Sequence, residues 1–77
     1  MGKAYVLVNT QNGQAQTVRD SMAKIEGVTR AECVYGVYDV VVAVEHENID
    51  KLKEIVTWKI RRVDGVKSTL TLIFVSP

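Results

Sequence analysis

Residues able to do chemistry are few in this 77-residue chain, and they gather at one place. Tyr35-Gly36-Val37-Tyr38-Asp39 runs directly into Val40-Val41-Val42-Ala43-Val44. A glycine lets a ligand approach bare backbone, and the aspartate supplies a negative charge and acceptor oxygens beside it. The stretch therefore reads as a ligand-handling corner at the entrance to a strand. Elsewhere the inventory is thin. One cysteine, Cys33, and one histidine, His46, form neither an internal disulfide nor a structural zinc site. No nucleophile–base pair is visible. Cys33 reads as a small buried hydrophobe. His46 lies between Glu45 and Glu47 and reads as a solvated loop residue.

The elements that must hold this corner follow from periodicity. Ala4 to Asn9 is a first strand, apolar on both faces, and Asn12-Gly13 is a turn signal. Ala15, Val18, Met22 and Ile25 then fall on one helical stripe, and Gly27 stops the helix. Val28 to Tyr35 is a second, more polar strand with Arg30 and Glu32 on alternate positions, as suits an edge. Tyr38 to Glu45 is the third strand, rich in the stiff β-branched valines that favour the extended pleat. Asn48 is placed to cap a second helix over Ile49–Val63, with Ile49, Leu52, Val56, Ile60 and Val63 on one face. Lys67 to Val75 is the fourth strand.

The order is strand, helix, strand, strand, helix, strand. Lys24-Ile25-Glu26-Gly27-Val28 is echoed by Arg62-Val63-Asp64-Gly65-Val66, each at a helix-to-strand junction. Two similar halves of this kind predict an α+β, ferredoxin-like βαββαβ sandwich: a four-stranded antiparallel sheet with two helices on one face. In such a sheet a monomer shows apolar residues inward and polar residues outward. Strands one and three do not alternate in this way. An uncovered apolar face of several hundred Å2 exceeds what monomers usually tolerate. The open face is therefore expected to pair with a second copy by two-fold symmetry. Trp58 lies roughly 160–200° from Val56 and Ile60 around the second helix, so it points away from its own core. It lies either over a loop of its own chain or against a further subunit.

Size and composition narrow the function classes. A domain this small buries only about 60% of its unfolded surface and needs help, here from oligomerisation. Ten basic against nine acidic residues leave it near neutral, which argues against a dedicated nucleic-acid binder. No apolar run approaches the roughly 20 residues of a membrane helix, and the N-terminus lacks the form of a signal peptide. With one unpaired cysteine the chain reads as cytoplasmic.

Gly36-Val37-Tyr38-Asp39, followed some 26 residues later by Gly65-Val66-Lys67-Ser68-Thr69-Leu70-Thr71, resembles the effector domain of the Lrp/AsnC, or feast/famine, transcription regulators, also called the RAM domain. The resemblance covers essentially the whole chain, residues 1–77 as a single domain. Full regulators add a helix-turn-helix domain and a linker, which this sequence lacks, so direct DNA binding does not carry over. The resemblance implies sheet-to-sheet dimers assembling into rings, often octamers. It also implies an amino-acid effector in crevices between dimers near the G-x-x-D turn, with no cofactor. Asp39 then pairs with the effector's ammonium and backbone N–H groups around Gly36 take its carboxylate. Ser68, Thr69 or Thr71 add hydroxyl contacts, and Tyr35 or Tyr38 wall the pocket. On this reading Asp39, Thr69 and Thr71 share the sheet face turned away from the helices. Each residue also has a plainer reading: Gly36 as a turn glycine, Asp39 bound to its own backbone, and the threonines as strand formers.

The function implied is a non-enzymatic, homo-oligomeric amino-acid sensor in regulation of amino-acid metabolism, able to join the oligomer of a full-length regulator. Other classes share the fold. A monooxygenase-like enzyme wants a His or Asn in an enclosed pocket, and an acylphosphatase wants a phosphate-cradling loop with Arg, where this chain has Thr10-Gln11-Asn12-Gly13. A copper carrier wants Cys-x-x-Cys, and an RNA binder wants exposed aromatics on inner strands. An ACT-type sensor is the alternative within the binding class. The Gly36-to-Asp39 motif favours the first family over it.

Overall fold

A computed structural model describes residues 2–74. Its elements are β1 (Gly2–Thr10), α1 (Ala15–Ala23), β2 (Val28–Cys33), β3 (Val40–His46), α2 (Ile49–Glu54) continuing as a π-helical turn (Ile55–Ile60), and β4 (Val66–Ile73). The four strands form one antiparallel sheet in the order β2-β3-β1-β4. Both helices lie on one face, which makes this the ferredoxin-like βαββαβ sandwich. The expected extension of the last strand to Val75 lies outside the described residues.

The core forms where the helical stripes meet alternate positions of the central strands. Ala4, Val6 and Val8 of β1 and Val40, Val42 and Val44 of β3 are fully buried against Val18 and Met22 of α1 and Leu52 and Ile60 of the second helix. Asn48 caps α2 as expected: its Oδ1 accepts from the N–H groups of Asp50 (2.8 Å) and Lys51 (3.3 Å). The second helix differs from the expected regular α-helix. In an α-helix Ile55 and Ile60 would stand about 140° apart. The wider π-turn, with its i→i+5 bonding, brings both to the core beside Val56.

The repeated turns are alike in geometry. Val28 N–H bonds to the Ile25 carbonyl (3.1 Å) and Val66 N–H to the Val63 carbonyl (3.2 Å). Gly27 and Gly65 take φ of +94° and +95°, a backbone conformation that L side chains rarely adopt. A side chain would also collide there. A Cβ on Gly27 would stand 2.9 Å from Ile55 Cδ1, and one on Gly65 2.8 Å from Val18 Cγ2.

Three expectations are corrected. Thr69 and Thr71 do not lie on the open face. They pair with Val8 and Val6, whose side chains are buried under the helices, so both threonines face the helical side. Leu70 and Leu72 take the open side with Leu7 and Tyr5. The reason is that β4 is an edge strand reached only by the margin of the second helix, so its inner face tolerates hydroxyls. Cys33 is exposed rather than buried, because β2 is the other edge; its Sγ lies 3.9 Å from Gln16 Oε1. His46 ends β3 half-buried instead of sitting free in a loop, with Nδ1 accepting from the Asn48 N–H at 3.0 Å.

Tyr5, Leu7, Val41, Ala43, Leu70 and Leu72 form the sheet face without helices. Leu70 and Leu72 are 46% and 48% exposed. Phe74 packs edge-on to Tyr5, with ring centroids 5.1 Å apart. No helix among the described residues is long and apolar enough to cross a membrane.

Candidate functional site

The corner expected at the start of β3 is the tip of the β2–β3 hairpin. The tip closes through the Val34 N–H on the Asp39 carbonyl (2.9 Å), and the Asp39 N–H bonds to the Val8 carbonyl (2.9 Å). Gly36 has φ of +135° with open space around its Cα. Tyr35 and Val37 project into solvent, and Tyr38 is half-buried. Asp39 is anchored. Its Oδ2 accepts from Thr10 N–H (2.8 Å) and Thr10 Oγ1 (3.3 Å). The plainer reading of Asp39, as a backbone tie, is thus present in the fold. The tie does not take the residue out of reach. Asp39 still lines a shallow cleft of about 390 Å3 with Ala15, Gln16, Cys33, Val34 and Tyr35.

Gln16 is the side chain that sequence reasoning missed at this cleft. Its Nε2 donates to Asp20 Oδ1 (3.1 Å), and its Oε1 faces Cys33. Asp20 in turn pairs with Arg19 (3.0 Å), whose Nε donates to the Ala31 carbonyl (2.9 Å). The hydrogen bond from Arg19, and then that from Gln16, holds the Asp20 carboxyl below its ordinary value. This chain of contacts ties α1 beside the cleft to β2.

The remaining expected residues are elsewhere. Ser68 is on the open face, 3.4 Å from Asn9 Nδ2. Thr69 and Thr71 line a second cleft of about 320 Å3 on the helical side, with Lys53, Thr57 and Arg61 opposite them. Within one chain, Tyr35, Gly36 and Asp39 come together, and the three hydroxyl residues do not join them. Lys53, Thr57 and Arg61 are the other residues sequence reasoning passed over; their spacing of four along the helix was the signal. Another hollow, about 520 Å3, holds none of the expected residues. It is lined by Lys24, Trp58, Lys59 and Arg62, with the Arg62 guanidinium 4.7 Å from the Trp58 ring centroid. Trp58 is 55% exposed and turned from the core, as its helical position requires. No group of three or more His, Cys, Asp or Glu that could hold a metal occurs among the described residues.

Comparison with known proteins agrees with this fold. The family model described as Lrp/AsnC ligand binding domain matches residues 3–77. An HTH-type transcriptional regulator of Pyrococcus furiosus is 33% identical over 73 residues, which cover 91% of this chain and 49% of that protein. The chain spans about half the length of the curated relatives it matches. A hypothetical protein of Pyrococcus horikoshii has a solved structure similar to this one, with TM-score 0.90 and 31% identity over 100% of this chain and 93% of that one. A Neisseria meningitidis transcriptional regulator solved with L-Met is similar in fold alone, with TM-score 0.80 and 14% identity over 97% of this chain and 50% of that one. With its hairpin-tip cleft, its sheet order and a family match over nearly its full length, the chain belongs to the Lrp/AsnC ligand-binding-domain family.

Proposed function

We propose that this domain is a non-enzymatic sensor of amino acids that works as a homo-oligomer in transcriptional regulation. One observation carries the reading. The candidate residues fall into two places of opposite chemistry. The hairpin tip offers a carboxylate, Asp39, and the helix–β4 cleft offers hydroxyls and cations. An amino acid is a zwitterion and needs both. Because the two places lie apart in one chain, they meet at a ligand only when different copies are brought together. The crevice between copies is thus built from the tip of one and the β4 cleft of another. Ser68 remains on the open face and contributes to pairing instead.

The open face supports the oligomer. It is apolar over Tyr5, Leu7, Val41, Ala43, Leu70 and Leu72, and burial against a second copy would stabilise at about 25 cal/mol per Å2. Four such dimers then form a ring, an octamer being the expected size. The regulatory role follows from the family, whose relatives include transcriptional regulators. The L-Met in the Neisseria regulator supports the ligand class. Association with a full-length regulator is how the domain would act. The unpaired Cys33 suits the cytoplasm.

The test is thermal unfolding across the amino acids, with molecular mass measured in parallel. A ligand at 100 times its Kd stabilises by about 2.7 kcal/mol if it binds only the folded form. Asp39→Asn keeps an oxygen for the Thr10 N–H and removes the charge. It is expected to abolish the ligand shift and leave the oligomer intact. A full shift in that variant removes Asp39 from the site, and no shift with any amino acid overturns the function.

A further inference from the structure

The helix–β4 cleft carries more positive charge than a neutral amino acid needs. Lys53, Thr57 and Arg61 stand at intervals of four along the second helix and face Thr69 and Thr71 on the strand. The π-turn has a structural part in this. A row of residues four apart drifts round an α-helix by about 40° each step. The wider π-turn from Ile55 turns the row back, so that Arg61 stays above the same cleft as Lys53.

Neither cation pairs with an acid among the described residues. The ion pairs among the described residues are Arg19–Asp20, Arg30–Glu32 and Lys51–Glu54. Glu54, the acid next to Lys53 in sequence, is held by Lys51 at 3.5 Å. No Asp or Glu lines the cleft. It offers an ammonium group no counter-charge and a carboxylate a great deal: two cations and three hydroxyl donors. The cations enter from opposite ends, eight positions or roughly 12 Å apart along the helix axis, with Thr57 between them. Two cations so spaced suit an elongated dianion with two separated charges. A single compact anion would satisfy only one of them.

We propose that this cleft binds both carboxylates of an acidic amino acid, one beside Lys53 and one beside Arg61, so that the domain selects dicarboxylic effectors over their neutral amides. The proposal rests on the zwitterion-bridging reading above, in which Asp39 of another copy takes the ammonium. It adds the side-chain chemistry of the ligand. Charge-assisted hydrogen bonds are roughly twice as strong as neutral ones and, with Arg, specific in geometry. A carboxylate replaced by an amide keeps the shape and loses that attraction.

The experiment is calorimetric titration of the intact oligomer with L-glutamate, L-aspartate, L-glutamine and L-asparagine. It is run on the wild type, on Lys53→Gln/Arg61→Gln, and on Arg61→Lys as a charge-keeping control. Lys53 and Arg61 are exposed, so the double variant is expected to fold, and its unfolding temperature checks this. In the wild type the better acid should bind at least about tenfold more tightly than its amide. The double variant should lose that preference, its affinity for the acid falling at least about tenfold further than its affinity for the amide, which loses only the contact to its α-carboxylate. Arg61→Lys should retain part of the preference. Equal binding of acid and amide by the wild type overturns the proposal, as does a preference that survives in the double variant. If neutral amino acids bind and depend on Asp39, only this proposal falls. If no amino acid binds, the sensor reading falls with it.

Discussion

Asp39 joins the start of β3 to the end of β1 through one oxygen that accepts twice from Thr10. A half-buried N–H left without that acceptor carries a desolvation penalty, and bonds to a charged group are worth more than neutral ones. Asp39→Ala is therefore predicted to lower stability by about 1–3 kcal/mol in urea unfolding, and Asp39→Asn by less. Equal stability of the alanine variant and the wild type would show that the tie carries no weight. At this scale the sequence was informative about type and silent about direction. That Asp39 sits beside a glycine turn is written in the chain. That its carboxylate reaches back 29 positions to Thr10 depends on β1 and β3 being neighbours. Cys33 was misread because its burial is set by the strand order, which leaves β2 at an edge.

At the scale of the elements, the two helix-to-strand turns carry the duplication. Gly65 shows its physical demand, since both its φ and the 2.8 Å approach to Val18 Cγ2 exclude a side chain. Gly65→Ala is predicted to destabilise by about 1–2 kcal/mol from backbone conformation alone. Displacement of Val18 in the core adds to this, and chemical denaturation reads the sum. A variant as stable as wild type would mean that the turn relaxes without loss. These turns were legible because a positive φ selects glycine and leaves a mark in the sequence. The π-turn was not, because Leu52, Val56 and Ile60 already make a stripe at the ordinary pitch, which leaves Ile55 outside it. The face of β4 was misread for a related reason. Threonine against leucine suggests polar outward, but the outward face of this sheet is itself apolar, and the alternation is inverted.

For the whole molecule, the question is what the greasy side of the sheet does in water. Leu72 lies on it opposite Tyr5 of β1, outside the helix-covered core. A charge there does not disturb the fold but opposes burial against a second copy. Leu72→Asp is predicted to shift the protein toward monomer in sedimentation, with its far-ultraviolet circular dichroism unchanged. A wild type that is monomeric at micromolar concentration, or a variant that stays fully assembled, would sink the dimer. The apolar character of both faces was legible in Val40–Val44 and in β1. The location of the two clefts was not, since it depends on how far the second helix extends over β4.

Residues 2 and 74 both leave the sheet at the end opposite the β2–β3 tip. Gly2 pairs with His46 and the Phe74 N–H bonds to the Lys3 carbonyl, whereas Asp39 meets β1 at Val8 and Thr10. The molecule is 37 Å long, and the strand between these ends runs nine residues, roughly 30 Å at the usual rise. A tether, reporter or bead attached at residue 2 or 74 therefore sits at the far pole. It leaves the tip facing bulk liquid, free to meet whatever is offered to it.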